Sequence, residues 1–168
     1  MPNYHQHLFI GFFVSAILIL SLHFIFHLNL INANMLTTLV IVTLIFSLLP
    51  DIDHRSSKIS VFLHFLFLLV VLAFFTKLIT FNFSSILIIA VVVGLEVYHL
   101  IFAKSNWKHR QFPHSFTFGF FSLIVLYLIT SSWIAIFVGG ITFFSHILID
   151  GHLFEAIEKD KKFWKFFN

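Results

Sequence analysis

Residues 42–57 read VTLIFSLLPDIDHRSS. An apolar run ends in Leu48, Leu49 and Pro50, and the next five residues carry Asp51, Asp53, His54 and Arg55. Charged residues make up only 10% of the chain, and seven are acidic. Two of them in one break mark a point where an apolar segment meets water.

The rest of the chain has the same character. Of 168 residues 60% are hydrophobic, and mean hydropathy is +1.02. A soluble domain carries about 25% charged residues, so this composition cannot cover a water-exposed surface. Apolar stretches near the ~20 residues needed to cross a bilayer recur, at 8–31, 35–50, 59–76, 84–103, 115–130 and 132–149. Helices are the expected spanning element, because open strands leave backbone groups unpaired in lipid. No alternating barrel pattern is present. The expected fold is therefore all-α: a polytopic integral membrane bundle of about six transmembrane helices. The stretch 115–149 could instead hold one span and a re-entrant piece. The N-terminus lacks the positive flank and cleavage site of a signal peptide, so Leu8 onward reads as a retained span.

The breaks carry turn chemistry: Asn32 to Asn34, Pro50 to Ser57, Thr80 to Ser84, Ser105 to Pro113 and Thr130 to Ser132. Ser56 or Ser57 could cap the third helix and Gly151 could close the sixth. No internal repeat or linker interrupts 1–150, read as one transmembrane domain followed by a cytoplasmic tail, 151–168. That tail mixes Phe154, Phe163, Trp164, Phe166 and Phe167 with Lys and Glu, the composition of an interfacial helix on anionic lipid.

Basic residues orient the bundle. With an even number of crossings, Arg55, Lys58, Lys104, Lys108, Arg110, Lys159, Lys161, Lys162 and Lys165 share one face. Of the ten Lys and Arg, Lys77 alone falls on the other. The positive face is cytoplasmic, so both termini are expected inside an inner or plasma membrane.

The same face collects the polar residues. His7 opens the first span; Asp51, Asp53 and His54 lie in one loop; His109, Arg110 and His114 lie in the next; His146 and Asp150 end the sixth helix. Taken alone, DIDHRSS is most simply a solvated turn, and a single His-x-x-x-Asp is weaker still. Convergence of distant segments on one surface changes that reading, since ionisable groups at spans are functional candidates by default. His146 and Asp150, four apart, share a helical face. Asp51 and Asp53 point the same way if that stretch is extended. His114, after Pro113, is placed at the first turn of the fifth helix, where free N–H groups favour an anion such as phosphate, with Arg110 as a bidentate partner.

With no cysteine, any metal must be held by imidazole and carboxylate. That set suits Zn²⁺ first, with Mn²⁺ or Fe²⁺ as alternatives, as one ion or a pair. The expected ligands are His7, Asp51, Asp53, His54, His109, His114, His146 and Asp150. Asp53, His114 and Arg110 are the expected catalytic set, with a metal-activated water as nucleophile and a spare aspartate as base.

Other polar residues read differently. His23 lies sixteen residues beyond His7, roughly 24 Å along a helix, so His23 and His27 belong near the far interface. Glu96 and His99, three apart, lie nearer the cytoplasmic end. Glu96 needs a partner in lipid, and orienting a ligand histidine is the expected role. His64 reads as a packing residue. Gly139 and Gly140 suggest close helix approach.

Four blocks together, QHLFIG (6–11), LLPDIDHRSS (48–57), HRQFPHS (109–115) and SHILID (145–150), resemble the YdjM-type membrane-bound metal-dependent hydrolases. The resemblance runs from His7 to Asp150. It matches the family's His near the N-terminus followed by Gly at His7 and Gly11, its Leu-Pro-Asp-x-Asp-His at Asp51, Asp53 and His54, its His-Arg block at His109, Arg110, His114 and Ser115, and its closing His-x-x-x-Asp at His146 and Asp150. Gln111 and Pro113 stand where the family usually has Gly and Thr, and the Thr-Pro segment that often follows is absent. The resemblance implies a metal-dependent hydrolase without naming its substrate. Placement at headgroup depth favours a phosphoester, such as a lipid headgroup. The alternative is a non-enzymatic metal-binding membrane protein or metal permease. The expected partners are membrane lipids; no basic stripe or motif suggests nucleic acid.

Overall fold

The computed structural model describes residues 4–28, 32–53, 58–75, 83–102, 112–151 and 153–167. Every regular element among them is helical: α1 (Tyr4–Ile25), α2 (Ala33–Leu48), α3 (Lys58–Phe75), α4 (Phe83–Phe102), α5 (Phe116–Thr130), α6 (Trp133–Ile149) and α7 (Leu153–Phe167). Two 3₁₀ turns, Leu49–Asp53 and Phe112–His114, precede α3 and α5.

Hydroxyl and amide side chains start several of these helices. Asn32, Ser115 and Ser132 each sit in extended backbone and accept the N–H three residues on, from Met35, Phe118 and Ala135. Each satisfies one of the donors a helix start leaves open. Gly151 ends α6 as expected. Its φ of +70° lies in the left-handed region open to glycine, and its N–H donates to Leu148 O at 2.9 Å. Ser56 and Ser57 lie outside the described residues.

The chain groups into two units, Met1–Pro50 with Phe112–Asn168, and Asp51–Gln111. In the first, α6 packs against α1, α2, α5 and α7, and α1 also packs on α2. Leu39, Val42 and Phe46 of α2 and Ala135, Val138, Phe143 and Ile147 of α6 are buried. So are Ser15, Thr43, Ser47, Thr142 and Ser145. Large apolar side chains instead face outward, among them Phe9 (72% exposed) and Phe137 (63%). Polar groups inside and phenylalanines outside suit lipid, since water-soluble monomers rarely expose large apolar patches.

Small residues set the spacing. A Cβ at Gly11 would overlap Ser47 Oγ and stand 3.1 Å from Thr142 Cγ2. One at Gly119 would meet the Phe143 ring at 2.6 Å, and one at Gly139 would stand 3.1–3.3 Å from Leu126, Leu123 and Val42. Gly140 is looser, with Leu123 at 3.4 Å. Ser15 then reaches Thr142 at 2.9 Å. Because the Thr142 hydroxyl donates to Val138 O, Ser15 is the donor in that pair.

In the second unit α3 packs on α4. Ile59, Leu63 and Val92 are buried, and Ser60 Oγ donates to Ile52 O at 3.3 Å.

Two helical runs, Tyr4–Ile25 and Ala33–Ile52, are long and apolar enough to cross a membrane, with a third if α6 and the start of α7, bent by 108°, count as one. Other apolar helices are shorter over their described parts: Ile59–Ala73, Ser85–Tyr98 and Phe116–Thr130. The fifteen residues of α5 rise about 22 Å, less than the ~30 Å hydrocarbon core.

Candidate metal centre

His7, Gly11 and Ser15 are the buried residues of α1, spaced by four and therefore on one face. Gly11 lets this face approach α2 and α6 closely enough to bring His7 to Asp150. The His7 ring stacks on that of His146, centroids 3.8 Å apart and 11° from parallel.

Asp150 follows α6 immediately, its N–H still donating to His146 O at 3.1 Å. Three imidazoles aim Nε2 at its carboxylate. His7 stands 3.4 Å from Oδ1; His114 and His146 each stand 3.5 Å from Oδ2. All three rings and the carboxylate are nearly inaccessible to solvent.

Asp51 completes the arrangement. It is bonded to Pro50 and rides on the helical run Ala33–Ile52, which begins in the first unit. Asp51, His114, His146 and Asp150 each offer a ligand atom, all within 4.8 Å of one another. This half-buried to buried group could hold a metal ion.

Hydrogen bonding sets the form of His146. Its Nδ1 lies 2.6 Å from Ser47 O. A carbonyl only accepts, so Nδ1 carries the proton, and in the neutral ring Nε2 offers a lone pair. Pro50 has no N–H for Ser47 O in the i+3 pattern that the following turn adopts, and His146 supplies a donor there. A lone pair facing a carboxylate at 3.5 Å is repulsive without a cation between them. Protonating Nε2 would give a charge-assisted bond, but those run about 2.7–2.9 Å. Donors around one tetrahedral Zn²⁺ at about 2.0–2.1 Å stand roughly 3.3 Å apart, close to the 3.5 Å that separates His114 and His146 from Asp150, while the four donors together lie within 4.8 Å. Imidazole and carboxylate donors, with one ring anchored by a backbone carbonyl, fit such an ion.

Of the residues expected at the site, His7, Asp51, His114, His146 and Asp150 come together. Asp53 ends the 3₁₀ turn, but its side chain lies outside the described residues, as do His54, His109 and Arg110. His114 requires a correction. It closes the Phe112–His114 turn rather than opening α5, whose N-cap is Ser115. Nor are the first amides of α5 open to phosphate: Phe116 N and Thr117 N donate to the Asp160 carboxylate of α7 at 3.1 and 2.8 Å. Glu96 is also corrected. It is buried and pairs with His64 Nδ1 at 2.7 Å, an α3–α4 contact rather than support for a ligand histidine. His64 is accordingly an ionisable partner as well as a packing residue. His23 Nδ1 bonds Leu28 O at 2.9 Å at the far end of α1. Sequence reading missed Ser47 O and Asp160; no spacing rule links them to their partners.

Buried polarity, apolar exterior and the His/Asp group together define a helical integral membrane protein with a candidate metal centre. A family model described as "YdjM inner membrane protein" matches residues 1–157, and the chain belongs to that family. No curated protein and no solved structure matches it.

Proposed function

We propose that this chain is a membrane-embedded, metal-dependent hydrolase acting on a phosphoester, such as a lipid headgroup, at the cytoplasmic face. The asymmetry of Lys and Arg supports that face and cytoplasmic termini, and the apolar runs support about six crossings. The observation that carries the reading is His146. Its Nδ1–H is committed to Ser47 O while its Nε2 faces Asp150, beside His114 and Asp51. His114, His146, Asp150 and Asp51 would hold the ion, with Zn²⁺ favoured by the donor set. When bound, such an ion polarises a phosphoryl oxygen and lowers the pKa of a coordinated water. His7, against the other Asp150 oxygen, orients that carboxylate. Asp53, His54, His109 and Arg110 remain proposed contributors, as base, further ligands and anion contact.

Purified protein in nanodiscs should carry about one or two transition-metal ions per chain and hydrolyse members of a phosphoester library. Asp150→Asn should lose both. Wild-type protein that takes up no Zn²⁺, Mn²⁺ or Fe²⁺ on titration would sink the reading.

One observation favours a non-enzymatic metal-binding protein. Four protein donors lie within reach of one ion, and a complete set of four is the mark of a structural site, whereas catalytic sites keep a position open. Metal-loaded protein that is stabilised by the ion yet inert toward every phosphoester would select this second reading.

A further inference from the structure

Helix α7 bears directly on the segment that carries His114. Ala156, Asp160 and Trp164 are spaced by four, and so share a face of α7. Ala156 is fully buried, and α7 packs on the Phe112–His114 turn, on α5 and on α6. Asp160 accepts from Phe116 N and Thr117 N, while Trp164 Nε1 donates to Thr117 Oγ1 at 3.2 Å. Ser115 Oγ takes the next amide, Phe118 N, at 3.1 Å. The three leading N–H groups of α5 are therefore all satisfied, two by a residue forty-four and forty-three positions away. The carboxylate also sits at the favourable end of the α5 dipole. Pro113, His114 and Ser115 are buried immediately before this clasp.

We propose that Asp160, with Trp164, is a positioning clamp: α7 fixes the start of α5 and thereby sets where His114 Nε2 stands relative to Asp150. This rests on the reading of His114 as a metal donor. Without the clamp, Phe116 N and Thr117 N lose the carboxylate that accepts from them, and the segment that carries His114 loses this tie to α7. Interactions supporting ligands typically change metal affinity 10–100-fold, and a clamp acting through the backbone belongs at about the tenfold end.

The test uses full-length protein in nanodiscs, with Co²⁺ as the probe and two readouts. Amide exchange at Phe116 and Thr117 should accelerate in Asp160→Ala and recover in Asp160→Glu, while Glu158→Ala, an exposed α7 change, leaves it unaltered. Co²⁺ affinity should fall about tenfold in Asp160→Ala, with a shifted visible spectrum that Asp160→Glu moves back. Trp164→Phe, which keeps the ring and loses the N–H, should act in the same direction more weakly and covers the case in which Asp160→Ala fails to fold. Unchanged exchange in both variants overturns the clamp whether or not the wild type binds metal. Faster exchange with wild-type affinity and spectrum overturns the link to His114. A wild type that binds no Co²⁺ removes the metal reading and with it the proposed role for His114, while exchange still decides whether α7 holds α5.

Discussion

His146 donates its Nδ1–H to the carbonyl of Ser47, 2.6 Å away and ninety-nine residues earlier in the chain. The bond ties α6 to the end of α2, fixes the tautomer and turns Nε2 toward Asp150. One contact thus serves helix packing and site chemistry together, and the two roles can be separated by substitution.

In Asn, the side-chain amide nitrogen occupies nearly the place of Nδ1. His146→Asn should keep the bond to Ser47 O and lose the Nε2 donor. Thermal unfolding in detergent should then stay near wild type without metal, while bound metal falls. His146→Ala removes both, leaving the buried carbonyl without this donor at a cost of about 1–3 kcal/mol. Equal melting of the two variants would contradict the division of roles.

Gly11 allows α1 to lie against Ser47 and Thr142. Gly11→Ala should destabilise by about 1–3 kcal/mol, the usual range for overpacking, and weaken metal binding by displacing His7. Adding Ser47→Ala removes the overlapping hydroxyl, so the double variant should recover part of the loss. The recovery is read as non-additivity in a double-mutant cycle, and strict additivity would argue against the contact.

Bound metal should stabilise the fold, because the donors come from elements joined only through tertiary structure. At a free Zn²⁺ concentration a hundred times Kd, linkage predicts about 2.7 kcal/mol. Chelation should lower the melting temperature and Zn²⁺ should restore it. In Asp150→Asn the Zn²⁺-dependent rise should vanish.

Glu96 pairs with His64 within the second unit. Glu96→Ala should loosen the α3–α4 pair by about 1–3 kcal/mol and leave metal stoichiometry unchanged, while Glu96→Gln keeps an acceptor for His64 and should be milder. Loss of bound metal on Glu96→Ala would tie this pair to the centre after all. Loss of metal flux in proteoliposomes would favour a permease.

Helix existence was legible because lipid demands it. Apolar runs with no alternation can only be helices there, and Asn32, Ser115, Ser132 and Gly151 end or begin them by local chemistry. The His146–Asp150 pair was legible for the same reason, since four residues span about one helical turn. The place of His114 was read one element too late, because Pro113 and a buried turn gave it a 3₁₀ position that local propensity does not distinguish from a first helical turn. The partner of Glu96 was misassigned because a helical face identifies which residues look outward from a helix, and not which neighbour they meet.

From the chain alone came a membrane-embedded, all-helical protein, its candidate donors and their family, since composition and local spacing act over a turn or two of helix. Tertiary structure alone decided that Gly11 admits Ser47, that Ser47 O sets the His146 tautomer, and that Asp160 rather than a phosphate holds the start of α5. Those contacts join residues tens of positions apart, and their energies exist only once the helices have packed.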